Sequence, residues 1–189
     1  ARDPRRSSRA LKTDAFDEAV SQGVYPDLAH CARTVVAVDI APTALMRARE
    51  RHNALLCACT DVRRLPFADA AFEAVVSLST LDHFDSHADI ETSLGELARV
   101  LRPGGTLVLT LDNLANPIIA LRAMLPFRFL HATGVVPYQI GRTCGPRRLR
   151  RLVTRAGLEV VETSAVVHCP RVLAVALAEA LDRKGNPRL

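Results

Sequence analysis

Between Thr34 and Thr110 the chain alternates short β-branched runs with segments of helical period, and this alternation constrains the fold more than any other feature. Thr34-Val-Val-Ala-Val-Asp39 is a continuous apolar run, the pattern of a strand buried on both faces. Pro42 sits just inside a helix start, and Thr43 to His52 continues it with Arg and Glu outward. Leu55 to Thr60 reads as the next strand. Leu65 to Asp69 reads as a turn, because Pro66 disfavours helix at Leu65. Ala74 to Ser79 is a third strand. Asp89 to Leu101 is an amphipathic helix with Ile90, Leu94, Leu97, Ala98 and Leu101 on one side, stopped by Pro103-Gly104-Gly105. Thr106 to Leu111 is a fourth strand. The pattern predicts an α/β fold, a Rossmann-like doubly wound and mostly parallel sheet with helices on both faces. Upstream, Arg9 to Asp14 reads as a first strand and Val24 to Cys31 as a helix. Downstream, Pro146 to Ala156 is a basic helix closed by Gly157, Leu158 to Val167 a strand, and Arg171 to Leu181 a helix.

The length of 189 residues suits one domain, read as 9–189, behind a short tail over residues 1–8. A segment at about 113–142, broken by Pro117, Pro126 and Pro137, reads as a cap. The net charge of +5 is modest, and aromatics at 4% with no Trp argue against a stacking platform for single-stranded nucleic acid. The richest apolar stretch, Val172 to Leu181, is too short to span a membrane and carries Glu179. Five cysteines, odd in number and scattered, suit a reducing cytoplasm. Neither Cys57 with Cys59 nor His83, Asp85 and His87 supplies the grouped ligands zinc takes, so no metal is expected.

Two of the predicted strands end on carboxylates, Asp39 and Asp61. A carboxylate at a strand's C-terminal end can accept both hydroxyls of a ribose. Asp14, Asp17, Glu18 and Asp82 also fall at or just after predicted strand ends, although the chain is basic as a whole. An acid-lined crevice suits a fixed cation better than a pyrophosphate, which calls for N–H groups and glycine. The alternative, that these acids cap helices, stays open at this point.

The segments Val35-Val-Ala-Val-Asp-Ile-Ala-Pro42, Asp61-Val-Arg-Arg-Leu-Pro-Phe67, Phe72-Glu-Ala-Val-Val-Ser77 and Glu96-Leu-Ala-Arg-Val-Leu-Arg-Pro-Gly-Gly-Thr-Leu-Val-Leu109 carry a resemblance. In that order and spacing, the chain resembles the class I S-adenosylmethionine-dependent methyltransferases of the type 11-like group. The resemblance implies S-adenosyl-L-methionine as cofactor, with Asp39 on the ribose, Asp61 on the adenine amino group and the Val62 amide on a ring nitrogen. Ile40 and Val62 would wall the adenine, and Ser77, Leu78 and Ser79 would stand beside the methyl-transfer point. The cap would cover the acceptor, a small molecule methylated at O, N or C.

One part of the family pattern is missing. No Gly-x-Gly precedes Asp39, and Gly23 is the one glycine in that stretch. The same gap excludes a dinucleotide site. Gly23 is expected to match the last glycine of the family loop, with Thr13 to Gln22 as a divergent cradle. Thr13 and Asp14 are then expected at the methionyl group, with Asp14 or Glu18 accepting from its ammonium. After the third strand, His83 is the candidate general base, with Asp82 orienting it or acting alone. Methyl transfer also runs on positioning alone when the acceptor is already nucleophilic. Two other functions remain in view: a non-catalytic methyltransferase-like binding domain, and an RNA methyltransferase using the stripe of Arg142, Arg147, Arg148, Arg150, Arg151 and Arg155. The expected partner is a small-molecule substrate, with no membrane and no nucleic acid, and the expected state is a monomer or homodimer.

Overall fold

Strand β1 (Arg9–Thr13) is the centre of a five-stranded sheet, and every neighbour runs parallel to it or to the next strand out. The computed structural model describes residues 8–114, 124, 141 and 143–165. From β1 the chain passes through α1 (Phe16–Val20) and α2 (Tyr25–Cys31) to β2 (Thr34–Asp39), then through α3 (Pro42–Arg51) to β3 (Leu56–Cys59). It then crosses back over the sheet to β4 (Phe72–Leu78), continues through α4 (His87–Val100) to β5 (Leu101–Thr110), and reaches α5 (Pro146–Arg155). The strand order is β3-β2-β1-β4-β5. The direction of winding therefore reverses between β1 and β4, and a crevice opens there at the strand C-termini.

Alternation along the strands builds two cores. Leu11, Val38 and Val75 face the side covered by Ile90, Leu94, Leu97 and Val100 of α4 and Leu152 of α5. Ala10, Val35 and Ala37 face the other side, closed by Ala15 and Ala19 and by Leu45 and Ala48 of α3. The second core is rich in alanine, so its helices lie close to the sheet. Lys12 shares the parity of Ala10 and points into that tight layer, where a long cationic side chain is not expected.

Sequence and structure part at several boundaries. The segment Thr13 to Gln22, expected as a divergent cradle, contains α1. Helix α4 starts two residues before the expected Asp89, because the Ser86 hydroxyl accepts from the Asp89 amide at 3.1 Å. Pro103-Gly104-Gly105, expected to stop the helix, lies inside β5, which begins directly after α4, at an irregularity in its pairing with β4. There Gly104 has φ +74°, and a Cβ at Gly105 would come within 2.9 Å of the Glu73 and Arg102 carbonyl oxygens. Residues 158–165, expected as a strand, pair with no strand among the described residues. The helix expected over Arg171 to Leu181 lies outside the described residues, as does most of the cap.

The segment before β4 is clamped onto α4 by one side chain. Arg99 donates to the carbonyls of Leu65 (3.0 Å) and Phe67 (2.7 Å) and to the carboxylates of Glu96 (2.8 Å) and Asp69 (2.8 Å). Glu96 in turn accepts from the Leu65 amide at 2.7 Å. The Glu96-x-x-Arg99 pattern thus fixes the connection that carries the chain back across the sheet.

On α5, Leu152 is buried while Arg147, Arg148, Arg150, Arg151 and Arg155 are exposed, so the expected basic stripe is the solvent face of an amphipathic helix. Arg142 lies outside the described residues. Among the described residues no helix is long and apolar enough to cross a membrane.

Candidate cofactor and active site

The loop leaving β1 makes a left-handed turn on a side chain instead of a glycine. Asp14 has φ +68°, its amide donates to the Val38 carbonyl at 2.8 Å, and its carboxylate accepts from the Phe16 amide at 2.7 Å. Aspartate tolerates this region better than most residues because its short side chain bonds locally. Burial pushes the Asp14 carboxyl above the usual carboxylate range. The Phe16 amide and Lys12 oppose this, while Asp39 and Asp17 add to it. A carboxylate held so, beside two other acids, is relieved by an arriving cation.

Asp39 ends β2 across from that turn. One of its oxygens accepts from the Ala15 amide at 2.9 Å and the other from the Ala41 amide at 2.8 Å. Each keeps a second lone-pair direction, so the carboxylate is oriented and still able to accept a diol. Ile40 follows with 73% of its surface exposed, an apolar side chain presented at the strand end. Val62 is buried, so the two expected adenine walls differ: Ile40 stands free and Val62 belongs to the core.

Asp61 is held by a residue that sequence reasoning missed. Arg63 donates through Nε to both Asp61 oxygens (3.0 and 2.9 Å), through its amide to one of them (2.8 Å), and through NH1 to Asp89 (3.0 Å). Its guanidinium also lies 5.1 Å from the centre of the Phe84 ring. This pairing holds the Asp61 carboxyl below the usual range. The signal was the two-residue spacing of Asp61 and Arg63, which places both in one turn.

Four expected contacts are corrected by their placement. Thr13 and Ser77 are wholly buried, and the Thr13 hydroxyl bonds the hydroxyls of Ser77 (2.9 Å) and Thr80 (2.7 Å), tying β1 to β4 beneath the crevice. They sit at paired register positions, and their parity turns them toward the α4 core. Glu18 is 0% exposed and forms an ion pair with Lys12 at 2.7 Å, so its carboxylate faces inward and not toward a ligand's ammonium. Gly23 lies beyond α1 against Glu18, where an added Cβ would come within 2.2 Å of the carboxylate. It serves the packing of Glu18, and the turn next to β1 falls to Asp14.

On the other side of the crevice, Leu78 is partly exposed and Ser79 exposed, the latter with φ +50° and its amide donating to the Thr110 hydroxyl at 3.0 Å. A 3-10 turn, Leu81–His83, follows. His83 is exposed, whereas Asp82 is 6% exposed. One Asp82 oxygen accepts from the Asp112 amide at 3.4 Å, and the other is buried without a hydrogen-bond partner among the described residues. Burial and the nearby Asp112 carboxylate push the Asp82 carboxyl above the usual range, with His83 opposing. The chain returns beside this turn: the Thr143 hydroxyl donates to the Asp112 carbonyl, and Gly141 packs against the backbone of His83 and Phe84.

The raised Asp82 value fixes the sign of a stability effect. The fold favours the protonated carboxyl, so this contribution is complete below the unfolded value and is lost as pH rises through the folded one. Asp82→Asn cannot ionise. It should melt above the parent protein in mildly alkaline buffer, with the gap closing as pH falls toward about 4. Thermal melts across that range check the sign, and a gap that widens in acid would contradict it.

Residues 17–109 match the methyltransferase domain family, from α1 to the penultimate residue of β5. The chain carries a methyltransferase domain over those residues. This methyltransferase domain is 27% identical over 169 residues to a probable S-adenosylmethionine-dependent methyltransferase of Mycobacterium tuberculosis, covering 89% of the chain and 57% of that relative. The chain thus spans little more than half the length of that protein. A demethylmenaquinone methyltransferase of Thermus thermophilus is 44% identical over 78 residues, covering 39% of this chain and 34% of its own. In fold, the methyltransferase domain is similar to the PH0226 protein of Pyrococcus horikoshii, with a TM-score of 0.63 at 19% identity, over 80% of this chain and 74% of that one.

Proposed function

We propose that the chain transfers a methyl group from S-adenosylmethionine to a small-molecule acceptor. The observation that carries this reading is the set of acids at the C-terminal edge of β1 and β2, Asp14 and Asp39, with Ile40 exposed beside them. Ribose-binding, cation-binding and apolar groups stand together there. When bound, the cofactor supplies an electrophilic methyl group on a sulfonium.

Each residue has a task in this reading. Asp39 accepts the ribose hydroxyls through the lone pairs its two amide partners leave free. Asp14 faces the ammonium of the methionyl group. Ile40 covers one face of the adenine. The Val62 amide and the Asp61 carboxylate meet its edge, the carboxylate sharing its oxygens with Arg63. Leu78 and Ser79 flank the methyl-transfer point. On the acceptor side, Asp82 takes a proton from the attacking group or orients it, and exposed His83 is the alternative base. Loss of a general base lowers turnover by about 10²- to 10⁴-fold. Asp82→Asn should fall in that range if Asp82 is the base, and His83→Ala if His83 is. If neither does, the acceptor is already nucleophilic and positioning suffices.

Calorimetric titration with S-adenosylhomocysteine tests the reading directly. Saturable heat with one site per chain is the expected result. No heat at millimolar ligand would leave a methyltransferase-like binding domain as the surviving description.

A further inference from the structure

Lys12 and Glu18 form a buried ion pair under the proposed cofactor loop, at 1% and 0% exposure. The pair is costly, because each ion loses its hydration and the mutual attraction seldom makes up the difference. Its contacts indicate what it does. Lys12 Nζ donates to the Asp14 carbonyl, at the residue held at φ +68°. Glu18 accepts from the Val24 amide at 2.9 Å, and Gly23 presses its backbone onto the same carboxylate. The two side chains therefore tie the start of the loop, at Asp14, to its end, at Gly23 and Val24. The Ala15 amide, between Asp14 and α1, is one of the two donors that orient Asp39.

We propose that the Lys12–Glu18 pair is the positioning device of the cofactor site, doing with one internal strut what a glycine-rich loop does with backbone shape. Lys12 holds the Asp14 carbonyl, which fixes the turn. The turn aims the Ala15 amide at Asp39 and leaves the Asp14 carboxylate on the crevice side. Neither Lys12 nor Glu18 touches the ligand. The inference rests on the cofactor reading above.

The experiment separates positioning from mere stability. Two double variants replace the pair: Lys12→Met with Glu18→Met, which removes both charges, and Lys12→Glu with Glu18→Lys, which restores an ion pair but takes the donor away from the Asp14 carbonyl. Melting temperature and S-adenosylhomocysteine affinity are measured for each, beside Lys12→Met alone. Both doubles should recover much of the stability lost by the single variant, yet bind the ligand at least about tenfold more weakly, a loss of the size of one hydrogen bond to a charged group. A folded double variant with parental affinity would overturn the proposal. A parental protein that binds no ligand would overturn the functional reading and this inference together. The unaltered protein gives a test that no folding failure can block. The Ala15 amide should exchange with solvent as slowly as the amides of β1 before any ligand is added. Exchange at the rate of the exposed turns would show that the strut does not set the loop.

Discussion

Gly23→Ala should cost the methyltransferase domain about 3 kcal/mol, combining the penalty of a side chain in the left-handed region with the strain of overpacking. Gly23 has φ +55°, and the new Cβ would lie 2.2 Å from a Glu18 carboxylate oxygen and 2.6 Å from its carbon. The usual escape from such a clash is rotation of the side chain. It is closed here, because Glu18 is buried and is tethered by Lys12 on one side and the Val24 amide on the other. Moving the carboxylate away from Lys12 would leave a buried ammonium unpaired, which is worse than the clash. Urea denaturation reads the effect as a lower midpoint at unchanged slope. A loss under about 1 kcal/mol would mean that Glu18 yields easily and that the ion pair is softer than its burial implies.

The largest functional effect is expected at Asp39. Asp39→Asn keeps the shape and removes one acceptor. Both carboxylate oxygens already take an amide proton, from Ala15 and from Ala41, so an amide group must turn its NH2 toward one of two donors. The variant loses an internal hydrogen bond whichever way it turns, and it loses a charged acceptor for the ribose. Affinity for S-adenosylhomocysteine should fall by about 100-fold, the product of two charge-assisted hydrogen bonds weakened together. The melting temperature should fall with it, because one of the two amides, Ala15 or Ala41, loses its carboxylate acceptor. Calorimetry at matched ionic strength measures the first and a thermal melt the second. Parental affinity in a folded Asn variant would remove Asp39 from the ribose.

The strands were legible because apolar runs in a parallel sheet are continuous and bounded by turns, as in Thr34 to Asp39. Their layering was legible from alternation, which separates Leu11 from Ala10. The short helix Phe16–Val20 was not, because five residues carry too little periodicity to register. Asp39 and Ile40 could be placed from their position at a strand end. Thr13 and Ser77 lie beneath the crevice instead of in it, since parity, and not distance to the strand end, decides on which face a strand residue falls. Glu18 and Gly23 looked like loop residues facing a ligand. Their inward turn depends on Lys12, a charge in an otherwise apolar strand, and that anomaly was the available signal. Asp112 acts on Asp82 after β4, and Arg63 reaches Asp89 on α4 in addition to its near neighbour Asp61, so each has a partner distant in sequence. Such partners emerge only when the chain is folded.

The left-handed Asp14 has a consequence for the unfolded chain. Glycine in a loop keeps many backbone states open before folding, and fixing one forfeits more entropy than fixing any other residue, about 0.5–1 kcal/mol relative to alanine. The stretch from Lys12 to Gln22 contains no glycine. Its disordered ensemble is narrower from the outset, so less order has to be imposed at the moment a ligand arrives. Part of that cost is moved out of binding and into folding, where the buried charges of β1 and α1 carry it once for the lifetime of the folded chain.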